Sequence, residues 1–374
     1  MTDRPTVVRR APGKLFIVGE YAVVEPGTPA ILVAVDRYIT VTVSGSASDE
    51  AGVVISSDLG PQKVRWHWQD DGRLGLDAAD DEQGARSALA HVVSATEAVA
   101  RLLAERGLPV PALGISVSSS LHDNGRKYGL GSSGAVTVAT VAAVSAFCGL
   151  ELSLEERFRL ALLATAELDP KGSGGDLAAS TWGGWIAYQA PDRAFVLDLV
   201  RRRGVEEALR VPWPGFEVRR LPAPVGLSLE VGWTGNPAST ATLVSGLHRR
   251  TWRGTESHRI FVRTSTELVR ASITALEAGD TQGLLHQLRR ARQELARLDE
   301  EIGLGIFTPE LAALCDAAEG TGGAAKPSGA GGGDCGIALM DAEAPHDIAH
   351  VRKRWAAAGV LPLPVRPALE GIEE

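Results

Sequence analysis

A chain of 374 residues that is 44% hydrophobic and 22% charged, with 42 glycines, has the composition of an ordinary globular protein. At roughly 150 residues per domain it is long enough for about two. Its net charge of −8 argues against general nucleic-acid binding and points to small-molecule partners. The opening MTDRPTVVRRAPGKLFIVGEY scatters charge where a signal peptide needs an apolar core. No run reaches the roughly 18 apolar residues of a membrane span, so a cytoplasmic location with no membrane partner is expected. Cys148, Cys315 and Cys335 are too few and too scattered for a disulfide framework or a zinc site, and read as buried small hydrophobes.

In chain order, the first third predicts strands. ILVAVDRYITVTVSG (31–45) and KVRWHW (63–68) show the β-branched enrichment and partial alternation of half-buried sheet. An amphipathic helix follows over 87–106 and stops at Gly107, with Pro109 beyond. The strand LGISVSSSL feeds through HDNGRKYGLGSSG into a helix of small apolar residues. Ser153 and Glu156 form a capping box for the next helix, which ends near Leu168 before the loop DPKGSGGD. TWGGWIAYQ and FVLDLV read as strands, and the Pro-rich interval VPWPGFEVRRLPAPVG (211–226) reads as a boundary between domains at 1–210 and 226–374.

Beyond it come the strand GLSLEVGW and three helical segments. The third, 280–301, carries Leu284, Leu288, Ala291, Leu295 and Leu298 at the spacing of a packed stripe. The turn KPSGAGGGD, the strand CGIALM, a helix from about Pro345 and a strand near VLPLPV complete the chain. Helices and strands mix without strict alternation, which indicates an α+β fold.

Only six of the 38 basic residues are lysines, and four of the six lie beside glycine-rich turns: APGK, RKYGLGSSG, PKGSGGD and AKPSGAGGGD. A lysine kept in so arginine-rich a chain suggests a need for a compact point charge. The stretch GLGSSGA opens a buried helix, where unpartnered amides and the helix dipole favour an anion. NPAST (236–240) sits where a strand meets a helix and reads either as a second anion site or as simple N-capping. The eight tryptophans read mainly as packing residues, with Trp66 or Trp68 as candidates for the border of an adenine pocket. The histidines form no H-E-x-x-H pattern, and no nucleophile elbow is present.

APGKLFIVGEYAVVEPG, GLGSSGA and KPSGAGGGDCGIAL, in this order, resemble the three signature motifs of the GHMP small-molecule kinases. GEY, KGSGGDLAASTWGGWIAY and VGWTGNPASTATLV are most similar to the bacterial-type phosphomevalonate kinases. The resemblance implies a two-domain fold, its N-terminal half like domain 2 of ribosomal protein S5 and its C-terminal half ferredoxin-like. It also implies ATP- and Mg²⁺-dependent phosphorylation of (R)-5-phosphomevalonate to its diphosphate in isoprenoid synthesis.

Carried over by motif, Lys14 and Asp176 are the catalytic pair. Gly129, Leu130, Gly131, Ser132, Ser133, Gly134 and Ala135 bind ATP phosphates, and Ser133 with Glu167 binds Mg²⁺. Tyr21, Lys171, Ser173, Gly174, Gly175, Ser328, Gly329 and Ala330 contact the acceptor. Asp176 also reads as the N-cap of a short helix DLAAS, and Lys14 as a surface lysine. Four lysines at glycine turns would screen a dianionic acceptor against ATP. Mevalonate kinase or another GHMP kinase, diphosphomevalonate decarboxylase and a non-catalytic binder remain as alternatives, and a homodimer is left open.

Overall fold

The computed structural model describes residues 5–46, 52–58, 63–76, 82–123, 125–166, 168–236 and 252–373. The β-branched front of the chain forms β1 (Val7–Val18) and β2 (Pro29–Gly45), paired antiparallel with shifts at Pro12/Gly13 and Phe16/Val18. To these are added β3 (Gly52–Ser57), β4 (Val64–Trp68), β5 (Leu74–Leu76), β6 (Leu113–Ser119), β9 (Trp185–Gln189) and β10 (Glu217–Leu221). The eight-stranded sheet runs β10-β9-β2-β6-β3-β4-β5, with β1 on β2, and only the β3–β6 pair is parallel. A two-stranded hairpin, β7 (His122–Asp123) and β8 (Arg126–Lys127), leads to the phosphate-loop candidate.

Five helices accompany this sheet: α1 (Glu82–Glu105), α2 (Ser132–Phe147), α3 (Leu154–Ala166), α4 (Gly175–Trp182) and α5 (Arg193–Arg210). Helix α2 packs against β1, β2 and helices α1, α3 and α4. Twelve of its residues are buried, which is why its sequence is apolar all round instead of striped. Thr137 and Thr140 enter this core because their hydroxyls donate to the carbonyls of Ser133 and Val136 one turn back. The expected capping box is present: Ser153 N donates to the Glu156 carboxylate at 2.8 Å, and Glu156 N to Ser153 Oγ at 3.2 Å.

The second sheet is antiparallel, in the order β12-β13-β11-β14, from β11 (Leu227–Trp233), β12 (Ala324–Pro327), β13 (Cys335–Asp341) and β14 (Leu361–Leu363). Around it lie α6 (Glu256–Ala278), α7 (Thr281–Ile302), α8 (Pro309–Glu319) and α9 (Pro345–Ala357). Residues 237–251, where the first of the three helical segments and most of NPAST are expected, lie outside the described residues. One apolar core runs through both sheets, from Ile31, Leu32 and Val141 to Val231, Trp233 and Ile337. A smaller core of Leu311, Leu314, Trp355 and Val360 lies beneath α8 and α9.

Residues beyond β14 return to the first sheet. Asp36 N donates to Arg366 O, Ala368 N to Ala34 O and Glu373 N to Arg10 O, each at 2.9 Å.

The mixed α+β architecture is as expected, but FVLDLV is helix, within α5. Asp192 caps it by accepting from Phe195 N, and Val196 and Val200, four residues apart, turn one face inward. Thr181 and Trp182 close α4 instead of opening a strand. Helix α1 begins at Glu82, earlier than its apolar stripe suggests. Within the Pro-rich interval, β10 pairs with β9 and forms an edge of the first sheet. No described helix is long and apolar enough to cross a membrane.

Candidate active site

Where the two sheets meet, a cleft of about 510 Å³ opens between β1, the start of α2, the loop before α4 and the loop between β12 and β13. Its shape begins with two glycines. Gly129 and Gly131 hold φ of 79° and 76°, and Gly131 is the N-cap of α2. The amides of Ser132, Ser133 and Gly134 therefore open a helix whose first N–H groups have no partners inside it, and the helix dipole adds its positive end there. A Cβ on Gly131 would lie 2.8 Å from Lys14 Cγ and 3.4 Å from Asp176 Cβ. One on Gly134 would lie 2.6 Å from Asp176 Oδ2. The bare backbone lets a lysine and a carboxylate close on the same helix end.

Lys14 reaches this point from β1, whose amide at Lys14 donates to Leu130 O at 2.8 Å and ties the strand to the loop. The side chain is 9% exposed, with Nζ 3.4 Å from Gly129 O and 5.5 Å from the Phe16 ring centroid. Among the described residues no carboxylate pairs with it. Asp176 lies in the first turn of α4. Gly174, at φ 77°, takes the N-cap position, so the capping reading of Asp176 does not hold.

The loop before α4 is braced from behind. Tyr188 Oη donates to Ser173 O at 2.6 Å, and Arg193 Nη1 to Asp169 O at 2.7 Å. Burial pushes the Tyr188 hydroxyl far up from its usual range, so it stays a donor, and lowers Arg193 from its ordinary value.

The third glycine loop is fastened differently. Lys326, with a fully buried side chain, pairs with Glu20 and donates to Pro327 O at 2.7 Å. Ser328 Oγ accepts from Phe16 N at 2.9 Å and donates to Phe16 O at 3.0 Å. Tyr21 Oη donates to Ala330 O at 2.5 Å, with the Tyr21 backbone at φ 61°, a sparsely populated conformation for an aromatic residue. Burial, then the nearby Asp299 and Glu20 carboxylates, keeps this hydroxyl protonated.

Of the residues expected from sequence, the cleft gathers Lys14, Tyr21, Gly129, Gly131, Ser132, Ser133, Ser173, Asp176, Ser328, Gly329 and Ala330 on one wall system. Leu130, Gly134 and Ala135 are buried behind it, Gly174 and Gly175 are buried and off its surface, and Lys171 is solvent-exposed, next in the chain to Gly172 on the cleft wall. Glu167 lies outside the described residues. The screening argument from four lysines is corrected by this geometry: Lys14 and Lys127 line the cleft, Lys171 does not, and the charge of Lys326 is met by Glu20. Trp66 and Trp68, on β4, line no part of the cleft.

His91, Asp169 and Asp334 are on the wall without having been singled out. Asp334 sits in a quoted motif, whereas His91 lies on an amphipathic helix with no motif around it. Burial lowers His91 from its usual value, and its Nδ1 lies 3.4 Å from Thr137 Oγ1.

Comparison with known proteins agrees with this geometry. Residues 91–184 match the GHMP kinases N terminal domain, and residues 272–358 the GHMP kinases C terminal domain. The chain is 75% identical to a phosphomevalonate kinase of Streptomyces sp. (strain CL190), over 99% of this chain and 100% of that one. It is 30% identical to a mevalonate kinase of Aeropyrum pernix, over 88% and 87% of the two chains. The Streptococcus pneumoniae phosphomevalonate kinase solved in complex with phosphomevalonate and AMPPNP superposes with a TM-score of 0.83 at 26% identity, covering 96% of this chain and 99% of that one. Both halves match the family models and three quarters of the residues are shared along a full-length relative, so the chain belongs to the GHMP kinase family.

Proposed function

We propose that the protein transfers the γ-phosphoryl group of ATP to phosphomevalonate, giving diphosphomevalonate and ADP. The observation that carries this reading is the convergence of Lys14 and Asp176 on the glycine-opened end of α2, in a chain so similar to a phosphomevalonate kinase. Phosphoryl transfer needs positioning and neutralised charge more than covalent help. The amides opening α2 hold phosphate oxygens, and the unpaired Lys14 ammonium meets the negative charge that spreads over the transferring group. A phosphate-monoester acceptor has a second pKa of about 6, so its attacking oxygen is largely ionised at neutral pH. Asp176 then orients Lys14 and the acceptor more than it removes a proton.

Among the described residues no group of three or more ligating side chains exists. That suits Mg²⁺, which takes one or two protein oxygens and completes its shell with phosphate and water. Ser133 Oγ and the Asp176 carboxylate, both on the cleft wall, fit that donor set, and the ion would neutralise phosphate charge there; Glu167, the carboxylate expected from sequence, lies outside the described residues.

ADP release measured with mevalonate, phosphomevalonate and diphosphomevalonate, with CO₂ trapped in parallel, tests the reading. Phosphomevalonate is expected to exceed mevalonate in kcat/KM by at least roughly a hundredfold, since cations placed for a phosphate are left unpaired without it. Comparable turnover of both, or CO₂ release from diphosphomevalonate, overturns it.

A further inference from the structure

The Lys14–Tyr21 segment and the stretch from Lys326 to Ala330 are joined by five bonds. Lys326 meets Glu20, Ser328 meets both backbone groups of Phe16, Gly329 N donates to Glu20 Oε1 at 3.4 Å, and Tyr21 meets Ala330 O. Only the first is ionic, and it is the deepest, with side-chain exposures of 0% for Lys326 and 3% for Glu20. Water screens such a pair poorly, and of the two residues Glu20 is on the cleft wall while Lys326 is not. A buried ion pair adds little net stability over apolar groups of the same size, but it tolerates only a narrow range of separations. At the far end of this fastening, a Cβ on Gly329 would lie 3.8 Å from Lys14 Nζ. The loop backbone therefore forms one side of the space in which the Lys14 ammonium acts.

We propose that Glu20 and Lys326 are a positioning pair that fixes the third glycine loop against Lys14, and that Lys326 takes no part as a cation toward the bound phosphates. Lys326 sits in a phosphate-handling motif and looks like a ligand for anions. Its proton donors are instead turned to Glu20 and to Pro327 O. Glu20 shares its Oε1 between Lys326 and the Gly329 amide, so the ammonium and the loop backbone are held by one oxygen. The kinetic part of this inference rests on the kinase reading above, while the loop-ordering part does not.

The test compares Glu20→Gln, Lys326→Met and the double variant Glu20→Gln/Lys326→Met. The readouts are kcat and KM for both substrates, and amide hydrogen exchange over 328–333. Each single variant leaves one buried charge without its partner and lets the loop shift. A displacement of that scale lowers kcat by about 10²-fold. Loop exchange rises about tenfold or more as local opening becomes easier. The double variant keeps an oxygen for the Gly329 amide and a stem of similar length, and is expected to return exchange to the wild-type range and kcat to within about tenfold of wild type.

If exchange and melting recover in the double variant but kcat stays as low as in Lys326→Met, the lysine acts as a cation and the proposal falls. It also falls if the single variants melt earlier with kcat and loop exchange unchanged. Should one single variant fail to fold, the other single variant and the double variant carry the same comparison. Should wild type not turn over phosphomevalonate, the kinase reading falls, and hydrogen exchange alone decides the pair.

Discussion

The loops 129–135 and 326–334 face the same cleft, and both are glycine-rich with a lysine close by in sequence, yet they hold their shapes by different means. In the first, side chains are missing because neighbours already fill the space: Lys14 and Asp176 stand where Cβ atoms of Gly131 and Gly134 would be. In the second, side chains do the fastening, through Lys326, Ser328 and their partners Glu20, Phe16 and Tyr21. Glycine makes room in both, since a Cβ on Gly331 would lie 2.6 Å from Ile306 O and one on Gly333 2.5 Å from Asn236 O, but only the second loop is also anchored through its own side chains. The two cations divide in the same way. Lys14 has no carboxylate partner among the described residues and is available for phosphate charge, whereas Lys326 has its charge met inside the protein.

The sharpest way to break this comparison is Gly131→Ala set beside Gly125→Ala. Both glycines have positive φ, 76° and 78°, but an added Cβ meets Lys14 at Gly131 and nothing within 4 Å at Gly125. Each variant pays roughly 1–2 kcal/mol of left-handed strain. Only Gly131→Ala should also lose about 10²-fold in kcat, by displacing Lys14 and Asp176. Equal kinetic losses would show that strain, not room, explains the first loop.

A smaller effect is expected from Tyr21→Phe, which keeps the ring and removes the donor to Ala330 O. Loss of that bond should lower unfolding free energy by about 1 kcal/mol in a denaturant titration. The kcat decrease should be well below that of Gly131→Ala, since Ser328 and Glu20 still hold the loop. A loss of kcat as large as that of Gly131→Ala would mean that the second loop hangs on a single bond.

The smallest effect concerns His91, on the cleft wall beside the first loop, with its Nδ1 3.4 Å from Thr137 Oγ1. Burial, helped by Lys127 and opposed by Asp176 and Asp169, lowers it from 6.5. Between the folded value and 6.5 the unfolded chain binds this proton more readily, so stability present above 6.5 is lost as pH falls through that window. Denaturant titrations from about pH 7 down to about pH 5 should give a shallower loss for His91→Gln than for wild type. Part of the slope should remain, because burial also lowers His122. Identical slopes would mean that His91 is not buried when neutral.

Much of this was legible in the sequence where one kind of interaction dominates. The apolar run after GLGSSG could only be a core helix, and Ser153 with Glu156 announced its own cap. Lys14 and Asp176 were found through motifs and do converge on one cleft. FVLDLV was misread because a six-residue apolar run has no visible period of its own, and the cap at Asp192 that starts the helix lies outside it. The pairing of Lys326 was not legible for a different reason. A lysine in a glycine turn looks the same whether its charge faces a ligand or a carboxylate 306 residues away in the chain. His91 had no local signal at all, since only the packing of α1 on α2 brings it to the site.

The return of residues 366–373 to β1 and β2 has a consequence for the order in which the molecule is assembled. Arg10 and Glu373 exchange backbone bonds across 363 positions, and Ala34 and Asp36 are likewise met by residues from beyond β14. Closing loops of that length is slow, and contacts of such separation delay folding. During synthesis the first sheet, with the lysine it carries toward the phosphates, emerges long before the segment that completes its margin. A nascent first half therefore carries β1 with open backbone groups at Arg10, the kind of unpaired margin that invites pairing with another chain. It stays open until residue 373 has left the ribosome.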